Sequence, residues 1–123
     1  MENKKIYRLR SKNDFALLST RGQTVFGSHW LIFKVLNHEE KFHKLGWTVP
    51  KYVGNAVLRN KFKRWLREIL ENKKQMTLKL SEKHYSLNLI LRKKNASFYQ
   101  DVKFEEFERA VLNGLRKIKK IQN

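Results

Sequence analysis

The segment from Val57 to Lys74 constrains the fold more than any other part of the chain. When it is placed on a helix at about 100° per residue, its large apolar side chains fall in one sector. A stripe of this width needs an apolar partner, so the sequence predicts an amphipathic helix that docks on a sheet. The residues of the stripe are Leu58, Phe62, Trp65, Leu66, Ile69 and Leu70.

The opposite sector of the same helix is cationic. Solvated helix faces usually mix both signs of charge at four-residue spacing, whereas only Glu68 and Glu71 supply acid here. Arginine suits phosphate recognition, because its guanidinium group donates to two phosphate oxygens at once. This sector holds Asn60, Lys63, Arg64, Arg67 and Lys74, with Arg59 and Lys61 on its two shoulders.

The charge balance points to a polyanionic partner. The chain has 28 Lys and Arg against 11 Asp and Glu, a formal net charge of +17. Self-repulsion of this size destabilises a compact domain unless a polyanion screens it, and nucleic acid is the leading candidate. An anionic membrane surface is the weaker alternative, because a membrane-binding helix needs its apolar face free for lipid.

The rest of the chain predicts one mixed α+β domain over residues 1–123, without linkers or repeats. At 123 residues and 41% hydrophobic composition, the chain supports a single modest core. Ser11 and Gly22 are expected to cap a first helix, the latter in a left-handed conformation. The other predicted elements are a basic extended arm over about residues 1–10, a strand region over 24–37, strands over 44–49 and 84–91, and a last helix over 101–120.

No self-contained catalytic or metal site is predicted. The chain has no cysteine, which excludes disulfides and thiolate metal sites and agrees with a reducing cytoplasm. His38, Glu39, Glu40 and His43 match no metal-ligand spacing and are interpreted as a polar hairpin loop. No signal peptide or membrane-spanning segment is expected. We therefore expect a cytoplasmic protein with no membrane partner and no small-molecule substrate.

The central segment also resembles a known family. LGWTVPKYVGNAVLRNKFKRWLREIL resembles the signature of the bacterial ribonuclease P protein subunit. The resemblance extends to an opening Arg8-Leu9-Arg10 followed by Phe15, and to a late basic loop from Leu91 to Lys94. The matching motif residues are Val53, Gly54, Asn55, Ala56 and Val57, then Arg59, Asn60, Lys63, Arg64 and Arg67.

The resemblance implies a fold and an activity. The fold is an α/β sandwich in the order αβββαβα, with a mixed central sheet packed by helices and a left-handed β-α-β crossover. The activity is endonucleolytic 5′-end maturation of precursor tRNA by a ribonucleoprotein. In this family the RNA subunit performs the hydrolysis with Mg²⁺ that the RNA holds, and the protein contributes no catalytic residues.

The resemblance also implies two sets of binding residues. The first set faces the catalytic RNA: Arg59, Asn60, Lys61, Lys63, Arg64 and Arg67. The second lines a cleft for the 5′ leader of precursor tRNA: Phe15, Phe33, Lys51, Arg8, Arg10, Arg92 and Lys93. Phe15 and Phe33 also have a simpler interpretation as core residues.

Two departures from the family pattern concern the leader cleft. Pro50-Lys51-Tyr52 stands where the family commonly has Ser-Lys-Lys, and Ser19 stands where a second aromatic residue often occurs. A basic ribosomal or chaperone-type RNA-binding protein without a catalytic assembly is the alternative function. A nuclease made of protein alone is a weaker third possibility.

Overall fold

The computed structural model describes residues 5–37, 42–72, 85–95 and 97–122. Within these ranges the chain forms one sheet with helices on both faces. The strands are β1 Lys5–Arg8, β2 Gln23–Ser28, β3 Leu31–Asn37, β4 Phe42–Thr48 and β5 Tyr85–Leu91. The helices are α1 Lys12–Arg21, α2 Ala56–Asn72 and α3 Phe104–Gln122, and Lys51–Val53 and Phe98–Asp101 form short 3₁₀ turns.

The sheet is mixed, with the strand order β1-β4-β5-β3-β2. Strand β4 pairs in parallel with both β1 and β5, whereas β3 pairs antiparallel with β5 and β2. The adjacent parallel strands β4 and β5 are connected through α2, which gives the expected β-α-β unit. The predicted α+β sandwich and the order αβββαβα after β1 are confirmed. The left hand of the crossover stays a prediction.

The structure corrects three predictions of local secondary structure. The region 24–37 forms two strands of a hairpin rather than one strand, with a register irregularity between Phe26 and Ser28. Gly22 ends α1 in an extended conformation with φ −71° and ψ 148°, so the left-handed cap is wrong. Part of the predicted basic arm, Lys5–Arg8, pairs with β4 as an edge strand. The predicted hairpin loop at 38–41 and the ends of α2 at 74 and β5 at 84 lie outside the described residues.

One face of the sheet carries the main core. Strand alternation directs Phe33, Leu45 and Leu89 to the face that α2 and α3 cover, and all three are buried. Helix α3 can approach this closely because Gly114 has no side chain: a Cβ atom there would overlap the Phe33 ring. Phe62 of α2 completes an aromatic cluster with edge-on contacts, its ring centroid 5.6 Å from Tyr99 and 5.2 Å from Phe107.

Helix α1 packs on the other face. Leu18 is only 1% exposed, and Leu9, just after β1, is 3% exposed. Asn88 of β5 is buried on this face, and its side-chain oxygen accepts a hydrogen bond from the Thr48 hydroxyl at 3.2 Å. The sheet is therefore the middle layer of a sandwich.

The edge strand β2 is protected by side chains of α3. Asn113 donates to the Gly27 carbonyl at 2.9 Å, and the Lys117 ammonium donates to the Phe26 carbonyl at 3.0 Å. Unpaired carbonyls on a sheet edge invite pairing with another chain. These two bonds hold α3 along β2 and occupy acceptors that a second chain could otherwise use.

Gly114→Ala should destabilise the protein by about 1–3 kcal/mol, because the added methyl group would meet the Phe33 ring in a packed core. Lys119→Ala, at an exposed position of the same helix, is the matched control. Urea unfolding followed by circular dichroism measures both. A Gly114→Ala variant as stable as its control would contradict the close approach of α3, since alanine alone favours a helix by about 1 kcal/mol over glycine.

Candidate nucleic-acid interface

Helix α2 begins with a side-chain cap and an internal anchor. The Asn55 side-chain oxygen accepts a hydrogen bond from the Leu58 amide at 2.9 Å, as expected of an N-cap residue. Arg59 is half-buried, and its Nε donates to the Gly54 carbonyl at 3.1 Å. Arg59 thus ties the first turn of the helix to the loop that precedes it.

The apolar side of α2 faces the core as predicted. Phe62, Leu66 and Ile69 are each at most 1% exposed. Lys61 lies at the rim of this side, with its ammonium 4.8 Å from the centroid of a Trp65 ring. This is a cation–π contact, so Lys61 both covers the rim and keeps its charge at the surface.

The opposite side of α2 presents polar groups outward. Asn60, Arg64 and Arg67 are exposed, and Lys63 is half-buried. In the part of the chain that the structure describes, no hydrogen bond or ion pair is found for these four side chains. We call Asn60, Lys63, Arg64 and Arg67 the basic face. Because its cations are not neutralised internally, they are available to phosphate oxygens.

The second predicted region lies around α1. The Ser11 hydroxyl caps the helix by accepting from the Asn13 amide at 3.1 Å, and Lys44 pairs with Asp14 at 3.4 Å. Phe15 is half-buried, and its ring packs over Gly46, where a Cβ atom would lie 3.2 Å from the ring. Phe15 therefore faces the sheet and keeps part of its ring accessible.

Phe33 does not lie in this region, so its assignment to the leader cleft is wrong. Its side chain is 1% exposed and packs against Gly114 on the face that α2 and α3 cover. The core interpretation of Phe33 holds, because strand alternation places it opposite the face that Phe15 contacts.

Arg8 also lies on an unexpected side. It is exposed, and its guanidinium stands 4.1 Å from the centroid of a Trp47 ring, a side chain packed against the main core. Arg8 is therefore on the side of the sheet that carries α2. Arg10 is exposed in the turn between β1 and α1.

Three predicted cations come together at one end of the sheet. Parallel strands β4 and β5 end at the same edge, where Lys51 follows β4 and Arg92 and Lys93 follow β5; all three are exposed. Tyr52 links the two strand ends, because its hydroxyl donates to the Leu91 carbonyl at 2.7 Å. Burial raises the pKa of Tyr52, and the nearby Arg92 charge lowers it by less than burial raises it.

Phe26 was missed by the sequence analysis. It is 45% exposed, and the Arg92 guanidinium lies 5.6 Å from its ring centroid. The available signal was the pair Gly27-Ser28, which is typical of a turn and directly precedes the turn at 29–30 that divides 24–37 into a hairpin.

The described residues contain no cluster of three or more His, Cys, Asp or Glu side chains able to hold a metal ion. Over the same part of the chain, no helix is both long enough and apolar enough to cross a membrane.

A basic α+β domain with an unneutralised cationic helix face defines a nucleic-acid-binding class of protein. The family model described as Ribonuclease P matches residues 3–119. The chain belongs to the ribonuclease P protein family.

Curated relatives agree with this assignment. The chain is 33% identical over 114 residues to the Ribonuclease P protein component of Finegoldia magna, covering 92% of this chain and 91% of that protein. It is 39% identical over 71 residues to the protein of the same name from Streptococcus agalactiae. That second match spans 58% of this chain and 64% of the relative's length.

Solved structures have the same fold. The RNase P protein from Thermotoga maritima is 29% identical, with a TM-score of 0.74, and the match covers 89% of this chain and 96% of that chain. The Staphylococcus aureus RNase P protein is 29% identical with a TM-score of 0.75, over 97% of this chain and 100% of that chain.

The contacts of α2 give Arg59 a structural role, whereas Arg64 faces outward. Arg59→Ala should lower the free energy of unfolding by about 0.5–1.5 kcal/mol, because it removes the hydrogen bond to the Gly54 carbonyl. Arg64→Ala should change it by less than about 0.5 kcal/mol, as is usual for surface substitutions. Urea unfolding of both variants tests this. A larger loss for Arg64→Ala would mean that Arg64 has a structural partner.

Proposed function

We propose that the chain is the protein subunit of a ribonuclease P ribonucleoprotein that matures the 5′ end of precursor tRNA. In this assembly it binds the catalytic RNA through α2 and the 5′ leader through the α1 side of the sheet. The RNA subunit carries out the hydrolysis, and we place the function in the cytoplasm.

One observation carries the proposal: the basic face of α2 lies opposite an apolar side that packs into the core. Phe62 and Leu66 fix the rotation of the helix, each at 0% exposure. Because the rotation of α2 is fixed, Arg64 and Arg67 project from the surface in a fixed direction. Cations fixed in this way bind a duplex backbone at lower entropic cost than cations on flexible loops.

The leader contact is supported by Phe15 together with the cations at the strand ends. Phe15 keeps an accessible part of its ring on the α1 side, and Lys51, Arg92 and Lys93 are exposed at one end of the sheet. Aromatic rings flanked by cations suit a single strand, because they stack on bases while the cations contact phosphates. Arg10 is exposed where the chain enters α1.

In this proposal Mg²⁺ is held by the RNA subunit and not by the protein. The donor set of the described residues does not fit a divalent ion, since no three carboxylate or imidazole groups lie together. We therefore assign no step to an ion held by the protein. Its own contribution is to offset phosphate repulsion and to position the substrate.

Cleavage of precursor tRNA at low Mg²⁺ tests the function. Adding the purified chain to a bacterial ribonuclease P RNA should accelerate removal of the 5′ leader, because protein cations replace part of the screening that high Mg²⁺ supplies. Unchanged cleavage together with tight RNA binding would favour the ribosomal or chaperone-type alternative. Cleavage by the chain without any RNA subunit would instead indicate a nuclease made of protein alone.

The salt dependence of RNA affinity tests the basic face separately. Each phosphate contact contributes about one unit to the slope of log affinity against log salt. The double variant Arg64→Ala and Arg67→Ala should therefore bind the ribonuclease P RNA with a slope smaller by about two. Filter binding over a salt series measures the slopes.

The matched control is the double variant Arg109→Ala and Arg116→Ala, which removes two exposed arginines from α3. Its slope should equal that of the unmodified chain. Equal losses for both double variants would mean that net charge, rather than the basic face, determines RNA affinity.

A further inference from the structure

A cavity lies beside the first turns of α2, next to the basic face but outside it. The start of α2 and the 3₁₀ turn Phe98–Asp101 border this space of about 260 Å³. Pockets for drug-sized ligands begin at about 300 Å³, so the cavity suits a planar group smaller than a whole nucleotide. Its lining residues are Asn55, Val57, Leu58, Lys61 and Gln100.

Val57 gives the cavity an apolar wall that is open to solvent. Its side chain is 78% exposed, the highest value for a large apolar residue in the described part of the chain. Val57 precedes Arg64 by two helical turns, so both lie on the same side of α2. A single exposed apolar residue is common on protein surfaces. This one borders a cavity that also contains unused hydrogen-bonding groups.

Two side-chain amides supply those groups. The Asn55 oxygen accepts from the Leu58 amide at 2.9 Å, which leaves the Asn55 amide nitrogen as a donor. Gln100 is exposed, and among the described residues no hydrogen bond is found for its side chain. Together these groups offer donors and an acceptor beside an apolar wall. That combination is complementary to a nucleobase, which has a flat apolar face and a polar edge.

Both walls of the cavity are held by the same core. Gln100 follows Tyr99, which is 1% exposed and whose ring centroid lies 5.6 Å from that of Phe62 in α2. The Gln100 backbone amide donates to the Ser97 carbonyl at 3.2 Å. Leu58 is half-buried and packs against the core from the α2 side. The cavity is therefore preformed, which lowers the entropic cost of binding a ligand.

We propose that this cavity is a base pocket, in which the RNA that binds α2 places one unpaired nucleobase. The face of the base packs on Val57 and Leu58, and its edge pairs with the amides of Asn55 and Gln100. The Lys61 ammonium contacts the phosphate of the same nucleotide. The inference rests on the proposed function, and it adds a contact that reads a base to a surface whose cations contact only the backbone.

The surroundings of the pocket favour RNA over a lipid surface or a second copy of the chain. A lipid-binding helix needs a wide apolar face, whereas Val57 is an isolated apolar residue beside Asn60, Lys61 and Arg64. A second copy, with a formal net charge of +17, would be repelled from these cations. An unpaired base in a folded RNA brings the matching flat surface together with negative charge.

Filter binding of the full chain to a ribonuclease P RNA tests the pocket. Val57→Ala should weaken binding roughly fivefold, because apolar contact with the base is lost. Gln100→Leu should weaken it by a similar factor, because the edge of the base loses its partner. Neither change should alter the slope of log affinity against log salt, since neither side chain contacts a phosphate.

Chemical probing of the RNA identifies the base. Dimethyl sulfate and a carbodiimide modify the Watson–Crick edges of unpaired bases. The unmodified chain should protect a base that Val57→Ala and Gln100→Leu expose again to the same reagent. The double variant Arg64→Ala and Arg67→Ala, at concentrations that saturate the RNA, should keep that protection. This pattern separates a base contact from the contacts of the basic face.

Leu17→Ala and Gln23→Leu are the matched controls, since they make similar changes at exposed positions on α1 and β2. Both should match the unmodified chain in affinity and in protection. Thermal unfolding should show Val57→Ala to be at least as stable as the unmodified chain, because alanine favours a helix over valine. A weaker affinity then cannot come from unfolding.

Three results would overturn the base pocket. The first is equal affinity and equal base protection for Val57→Ala, Gln100→Leu and the unmodified chain. The second is a dimer in sedimentation that Val57→Ala abolishes, because the occupant would then be a second copy. The third is binding to vesicles of anionic phospholipid that Val57→Ala abolishes, because the occupant would then be a lipid surface.

Cleavage of precursor tRNA at low Mg²⁺ separates the base pocket from the proposed function. If the unmodified chain does not accelerate cleavage by a ribonuclease P RNA, the proposed function fails and the base pocket fails with it. If the chain accelerates cleavage and Val57→Ala matches it in RNA affinity and base protection, only the base pocket fails.

Discussion

The structure depends on the burial of one side of α2 between the sheet and α3. Phe62 makes edge-on contacts with Tyr99 and Phe107, and Leu66 is fully buried beside it. Several apolar side chains buried together stabilise this arrangement far more than any single charge contact on the surface. The rotation of α2 is therefore set by its packing. The direction of the cations on its opposite side follows from that packing, since no carboxylate among the described residues pairs with them.

The two faces of the sheet are covered by helices to different extents. One face is filled by α2 and α3, and it supplies the stability that a chain of this charge requires. The other is only partly covered by α1, so Phe15 and Phe26 keep accessible rings there. Arg92 stands where β5 ends, close to Phe26, and Tyr52 connects the ends of β4 and β5. The surface proposed for structured RNA and the surface proposed for a single strand thus lie on different layers of the same small domain.

The spacing of apolar residues in the sequence was sufficient to predict α2 and the two faces of β5. The apolar sector of Leu58, Phe62 and Leu66 has the helical period, and β5 alternates cleanly, so both could be predicted from the sequence. Periodicity could not assign Phe33 to a face, because both faces of its strand are apolar and only the close approach of α3 at Gly114 decides. It also missed the hairpin of β2 and β3, whose two-residue turn at 29–30 directly follows Gly27-Ser28 at the end of β2. The position of Arg8 over Trp47 follows from the pairing of β1 with β4, which no local pattern encodes.

The most direct test maps which surface of the protein lies against the ribonuclease P RNA. The chain has no cysteine, so Glu68→Cys places one thiol on α2 next to Arg64 and Arg67 without removing a cation. An iron chelate attached there cleaves RNA that lies nearby, and the same label at Arg116→Cys, which borders β2, serves as the reference. The account predicts localised strand cleavage of the ribonuclease P RNA from position 68 and little from position 116. Equal cleavage from both positions, or cleavage from 116 alone, would contradict it.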